Sequence, residues 1–180
     1  MALVQSIDEN LLLIISNYLT HPIVDWLMII FTWLGNNGVI WLTLGIILLQ
    51  TKTHRQTGVM LLTALLLGWL LGNAILKPWV ARIRPFYLHP DWILLIPAPT
   101  GFSFPSGHTL SSFAAASVLG LSQRNWAVPA FTLALFISLS RIYLLVHYPT
   151  DILAGMILGL GIGWSSVKLI RHYSQRIKER

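Results

Sequence analysis

Cysteine is missing from this 180-residue sequence, which rules out disulfides and thiolate metal sites. Charge is scarce as well. The 12 Lys/Arg and 6 Asp/Glu amount to 10% of the chain, where an ordinary soluble domain carries about 25%. So few acids leave little with which to build a site for a hard divalent cation. With 55% of the chain hydrophobic, the apolar surface cannot all be hidden inside one water-facing globule, so lipid must serve as the solvent. A secretory leader is not expected: the first residues are acidic rather than basic, and Leu11–Ile15 is too short for its apolar core. No repeat, linker or second domain is evident, so residues 1–180 are expected to form a single unit.

What is present is a series of apolar runs separated by polar turns. They predict an all-α polytopic membrane protein, a six-helix transmembrane bundle. Its spans are expected at about Pro22–Leu34, Gly38–Gln50, Thr57–Leu76, His108–Leu121, Trp126–Leu145 and Asp151–Leu169. Crossing normally takes about 20 residues, so the first, second and fourth must extend into their flanks or meet a thinner bilayer. Ser6–Leu19 is amphipathic and predicts a short N-terminal interfacial helix. Gly155, Gly159 and Gly163, and likewise Gly68 and Gly72, recur at four-residue spacing. Such faces let helices approach closely in lipid, and packing alone is the expected role of these glycines.

The formal charge of +6 would suit nucleic acid in another setting, but the placement of the basic residues argues against it. Counting alternate sides puts Lys52, Arg55, Arg124, Lys168, Arg171, Arg176, Lys178 and Arg180 on one face with the N-terminus. Basic loops stay cytoplasmic, so both termini are expected in the cytoplasm. The remaining Lys77, Arg82, Arg84 and Arg141 fall outside, against that rule. A substrate is the natural reason for them.

Those outward cations belong to three polar clusters spread over residues 77–151. The first is Lys77-Pro-Trp-Val-Ala-Arg82-Ile-Arg84-Pro85. Arg forks onto phosphate oxygens and Lys offers a mobile point charge, although a single Lys77 is equally explained by snorkelling. Arg82 could face a substrate or a lipid headgroup. The second is Pro105-Ser106-Gly107-His108, where Ser106 can cap the fourth span and Gly107 can admit a ligand to the backbone. The helix start would then hold an anion, or the segment is a plain cap beside an interfacial histidine. The third runs Ser140-Arg141 through His147 to Asp151, with Pro149 suited to a first helical turn. Asp151 could accept the proton of one His147 nitrogen and leave the other nucleophilic, or simply cap its own helix. On the outward side Asp91 and Asp151 are the only acids expected, so no metal site is expected there.

Together the clusters resemble the type-2 phosphatidic acid phosphatase family of integral-membrane lipid phosphatases. The family pattern Lys-x6-Arg-Pro, Pro-Ser-Gly-His and Ser-Arg-x5-His-x3-Asp is matched by Lys77…Arg84-Pro85, Pro105–His108 and Ser140-Arg141…His147…Asp151 without a departure. The resemblance implies that Lys77, Arg84, Ser106, Gly107 and Arg141 bind the phosphoryl oxygens. It also implies that His147 attacks phosphorus, that Asp151 orients it, and that His108 protonates the leaving oxygen and then activates water. No metal or other cofactor is implied.

A basic mouth at the membrane surface suits a lipid whose phosphate reaches out while its tail stays in the bilayer. Undecaprenyl diphosphate, phosphatidylglycerophosphate and phosphatidate all meet that description, the first being favoured by the short chain, which resembles compact bacterial members. The segment from Phe86 to Thr100 is expected to line the mouth, with Arg82, His89, Asp91 and Trp92 as its handles. A phosphotransferase handing the phosphoryl group to a second lipid would use the same motifs. A small transporter would need inverted repeats or mid-membrane charges, and the sequence has neither.

Overall fold

Polar breaks at Thr51–His54, Ala81–Arg84, Gln123 and the turn before Pro149 divide the apolar sequence into helices. The computed structural model describes residues 2–178, and among them every regular element is helical. In chain order these are α1 (Ala2–Tyr18), α2 (Pro22–Gly35), α3 (Val39–Gln50), α4 (Arg55–Trp69), α5 (Lys77–Val80), α6 (Pro85–Leu88), α7 (Gly107–Ser122), α8 (Arg124–Tyr143) and α9 (Pro149–Lys178). A 3₁₀ turn, Asn36–Gly38, joins α2 to α3, and a π-helical segment, Leu70–Leu76, joins α4 to α5. Four stretches are long and apolar enough to cross a membrane: Pro22–Gln50, Arg55–Leu88, Arg124–Tyr143 and Pro149–Arg176.

At 16 residues α7 is shorter, yet it is the axis of the bundle. Leu110, Phe113, Ala114, Ala115, Ala116, Val118 and Leu119 are all buried along it. The glycine rows close on this helix from two sides. A Cβ on Gly159 would sit 2.6 Å from the Leu110 carbonyl oxygen, and one on Gly163 would sit 2.6 Å from that of Ala114. From α4, a Cβ on Gly68 would meet the Leu110 side chain at 2.5 Å. Helix packing explains both rows. The outer flanks carry the reverse pattern: Ile46, Ile47, Val128, Leu153 and Ile157 are exposed, as lipid-facing side chains must be.

The three motif clusters lie together at one end of this bundle. The other end is marked by Gln56 bonding Ser174 and by Arg171 bonding the Leu121 carbonyl. Five helices run between the two ends: α3, α4 with its π extension, α7, α8 and α9. The expected sixth span, Pro22–Leu34, does not. Asp25 near the start of α2 accepts from Tyr143 at the end of α8, and Asn36 just past its end meets His108 in the first turn of α7. Both ends of α2 are therefore at the motif end.

Helix α1 also packs at the motif end, with Leu12 buried against Leu145 and Tyr148. The expectation that both termini share the opposite face is thus corrected. The two described chain ends lie at opposite ends of the bundle, because Asp8 finds its partners, Arg82 and Thr150, only beside the motifs. The acid count changes with it: Asp8, Glu9 and Asp25 join Asp91 and Asp151 at that end. No Lys or Arg precedes Lys52, so the charge asymmetry between the two ends is untouched.

Candidate active site

Three backbone devices aim the charged side chains. Leu70–Leu76 winds as a π-helix, and the wider turn changes the register so that Asn73 and Lys77 both reach one cavity. After α5, Ala81 adopts a left-handed φ of 50°, and the chain enters α6 through an extended Arg84, as a residue before proline prefers. Leu145 is left-handed too, at φ 59°. It folds the chain back so that the N–H groups of Val146 and His147 donate to the Arg141 carbonyl at 3.2 and 3.3 Å. Such conformations cost side-chain-bearing residues roughly 1–2 kcal/mol each. Here they flank the two arms that carry Arg82, Arg84, Arg141 and His147.

The cavity has a volume of about 530 Å³. Its polar wall is formed by Asn73, Lys77, Arg84, His108, Arg141 and His147, with Gly107 at the start of α7. Its apolar wall follows α3 and α4 past Leu42, Leu62, Leu65, Leu66 and Trp69.

His147 is 2% exposed. Its Nε2 lies 3.2 Å from Arg84 Nη1, and its Nδ1 lies 3.4 Å from Asp151 Oδ2 and 3.3 Å from Ser103 Oγ. A guanidinium can only donate, so Nε2 must be the acceptor and Nδ1 carries the proton toward Asp151. Burial, reinforced by the Arg141 and Arg84 cations and opposed by Asp151, pushes the imidazole down to about 3. The ring is neutral at physiological pH, and the Nε2 lone pair that accepts from Arg84 lies at the cavity wall. Asp151 is fully buried. Its Oδ2 also accepts from Ser103 Oγ and from the Tyr148 N–H at 3.0 Å.

Arg84 and Arg141 are each 3% exposed. Carbonyl oxygens hold Arg84: Nε donates to Gly101 at 2.9 Å, Nη1 to Val146 at 2.9 Å and Nη2 to Thr100 at 3.2 Å. Arg141 donates through Nη1 to Thr32, while its buried Nε has no partner. Neither guanidinium is ion-paired; each described ion pair involves Arg82 or His147. Buried charge without a counter-charge is expensive, and three cations around one cavity leave it ready for an anion. Among the described residues no cluster of His, Asp or Glu is arranged to hold a metal ion.

The remaining expected residues divide. His108 lines the cavity, its Nε2 2.9 Å from Asn36 Oδ1 and its ring against Gly35. Ser106 is the helix cap: its Oγ accepts from the Thr109 N–H at 3.4 Å, its own N–H donates to the Asp151 carbonyl, and its side chain is absent from the cavity wall. Arg82, His89, Asp91 and Trp92 lie off the cavity as well, and from the Phe86–Thr100 segment only Pro99 lines it. His89 and Trp92 stack on each other at 4.3 Å, and Trp92 packs beside the Leu12 cluster under α1. Arg82 points away because two carboxylates, Asp8 and Asp151, take its N–H groups at 2.7 Å each. Sequence reasoning passed over Asp8, Asn36, Asn73 and Ser103. Asn73 alone left a signal, as a lone amide in an apolar run one helical turn before Lys77.

Comparison with known proteins covers most of the chain. The family model described as the PAP2 superfamily matches residues 57–175. An undecaprenyl-diphosphatase of Sulfolobus acidocaldarius is 34% identical over 85% of this chain and 74% of its own length. A phosphatidylglycerophosphatase B of Bacillus subtilis is 33% identical over 69% of this chain and 63% of its own. Among solved structures, Aquifex aeolicus LpxE superposes with a TM-score of 0.79 at 31% identity, covering 90% of this chain and 95% of that one. A Bacillus subtilis PAP2-type phosphatidylglycerolphosphate phosphatase gives 0.77 at 26% identity, over 98% and 89%.

Proposed function

This chain belongs to the PAP2 superfamily and is an integral-membrane phosphatase, and on that premise we propose that it hydrolyses the terminal phosphate of a lipid diphosphate through a phosphohistidine. The observation that carries the proposal is the surplus of positive charge around one cavity: half-buried Lys77 and buried Arg84 and Arg141 face it beside a neutral imidazole. Cations fixed around a transferring phosphoryl group stabilise its transition state without reorganising.

In the first step the Nε2 lone pair of His147 bonds to phosphorus as the bond from phosphorus to the lipid oxygen breaks. The leaving oxygen keeps that electron pair and takes a proton from His108. Asp151, hydrogen-bonded through Nδ1–H, balances the positive charge the ring acquires. In the second step His108 takes a proton from water, the water oxygen bonds to phosphorus, and the lone pair returns to Nε2. Lys77, Arg84, Arg141 and the N–H groups at Gly107 hold the phosphoryl oxygens throughout.

Undecaprenyl diphosphate is the favoured substrate. It fits the resemblance to the Sulfolobus enzyme over most of the chain, and the apolar wall along α3 and α4 gives a lipid tail a place beside the cations. The test is free-phosphate release by purified protein from undecaprenyl diphosphate, phosphatidylglycerophosphate, phosphatidate and a lipid A phosphate. Faster turnover of a two-tailed lipid would reassign the substrate, and phosphate appearing only on an acceptor lipid would make the enzyme a phosphotransferase. Turnover should survive EDTA, since the cations of the cavity do the work of a metal; loss that only magnesium restores would sink the scheme.

The motif end faces outward, because Lys52, Arg55, Arg124, Lys168, Arg171 and Arg176 lie toward the other end. Cysteines at Ser6 and Asp91 should label with an impermeant reagent in intact cells, and one at Gln123 should not. Labelling of Gln123→Cys alone would invert the orientation.

A further inference from the structure

The N-terminal helix carries a carboxylate that no described contact of the cavity requires. Asp8 is fully buried. It accepts from the Thr150 N–H at 3.0 Å, from the Thr150 hydroxyl, and from Arg82 Nη2 at 2.7 Å. Arg82 is thereby stretched between two acids: Nη1 lies 2.7 Å from Asp151 Oδ1 and 2.8 Å from Thr150 Oγ1, and Nη2 also reaches Gln5 Oε1 at 2.7 Å. The guanidinium carbon lies over the Tyr148 ring, 3.9 Å from its centre. Asp151 divides its work accordingly, with Oδ1 toward Arg82 and Oδ2 toward His147.

Charge bookkeeping shows what Asp8 contributes. Arg82 alone would cancel the charge of Asp151, and a neutralised carboxylate is a poor partner for a ring that turns cationic as Nε2 bonds to phosphorus. With Asp8 on its far side, Arg82 is already matched, and the Asp8–Arg82–Asp151 chain keeps one net negative charge behind His147. Arg82 can then hold Asp151 in place without quenching it.

We propose that Asp8 is a positioning residue for catalysis, acting through Arg82 to keep Asp151 anionic toward His147. The N-terminal helix is then part of the catalytic apparatus, although Asp8 lies outside the residues matched by the family model, 57–175. The proposal rests on the phosphohistidine reading of the site.

The experiment compares wild type, Asp8→Asn, Arg82→Gln and the double variant, with lipid-diphosphate turnover and labelled phosphoenzyme as readouts. Asp8→Asn leaves Arg82 unmatched, so kcat should fall roughly tenfold or more while KM stays within about twofold. The double variant removes the unmatched cation together with its partner and restores one negative charge, so it should recover most of the lost kcat. A merely structural Asp8 predicts the opposite, a double variant worse than either single one. Asp8→Asn turning over like wild type, or a double variant no faster than Asp8→Asn, overturns the proposal.

If Asp8→Asn does not fold, Arg82→Gln against the double variant still decides. With Arg82 gone, loss of the Asp8 charge should change kcat by less than about threefold, and a larger fall would show that Asp8 does not act through Arg82. A wild type that forms no phosphoenzyme from any lipid overturns the reading of the site, and this proposal with it.

Discussion

The two sides of the His147 ring are built on opposite electrostatic plans. On the cavity side, Lys77, Arg84 and Arg141 stand without a carboxylate, and Arg84 is held by carbonyl oxygens and the neutral His147 ring. On the far side, Arg82 is matched by Asp8 and Asp151 at 2.7 Å each. Arg82 and Arg84 are two residues apart in sequence, yet one is neutralised by the protein and the other awaits a ligand. The difference separates binding from orientation. Uncompensated buried cations gain most when an anion arrives, whereas a compensated network is already satisfied and holds its members still.

The comparison can be broken at its centre first. His147→Ala removes the nucleophile both sides serve, so labelled phosphoenzyme and phosphate release should vanish for every substrate. Wild-type turnover by that variant would remove His147 from the mechanism. His108→Ala should spare diphosphate lipids relative to monoesters, because a phosphate leaving group needs the proton less than an alkoxide does; turnover of a matched pair reads this directly.

Next come the two sides themselves. Arg84→Ala and Arg141→Ala should each lower kcat/KM by about 10² or more, the scale of losing one oxyanion-type donor, with KM rising as well. Asp151→Asn should leave KM nearly unchanged and lower kcat; the analogous change in a serine protease triad costs about 10⁴. A KM effect from Asp151→Asn larger than its kcat effect would abolish the distinction between the sides.

Acid should do little to the nucleophile. His147 sits at about 3, below its ordinary value, chiefly because it is buried. A depressed value means that the neutral ring persists as pH falls and is lost only near pH 3. The imidazole nitrogen resonances of His147 should therefore stay constant from pH 8 to about pH 5, where an ordinary histidine with a pKa near 6.5 would have titrated. Movement centred near pH 6.5 would show that the site is wetter than the packing around it. The smallest effects should come from outside the cavity: His89→Ala and Asp91→Asn should change kcat/KM by less than about twofold.

Much of the catalytic end was legible in one dimension because its groups sit at helix starts, where chemistry and local geometry coincide. Ser106 caps α7, Pro149 opens α9, and His147 and Asp151 share one turn. The boundaries of α7 and α8 fall within about two residues of the apolar runs, the ordinary scatter of helix ends. The π-helical turn that brings in Asn73 was not legible, since nothing in Leu-Leu-Gly-Asn-Ala-Ile-Leu distinguishes it from an α-helix. Nor were the partners of Arg82. Asp8 is 74 residues away from it, and an acid on an amphipathic helix is ordinarily a solvated one.

The sequence by itself determined that this is a helical membrane protein with an anion-handling end, because hydropathy, charge asymmetry and helix-start chemistry are local properties. Only the tertiary structure decided which cations are free, where the N-terminal helix lies, and that α2 does not cross. Whether a buried charge is matched depends on side chains far apart in the chain, and that information exists only once the helices have packed.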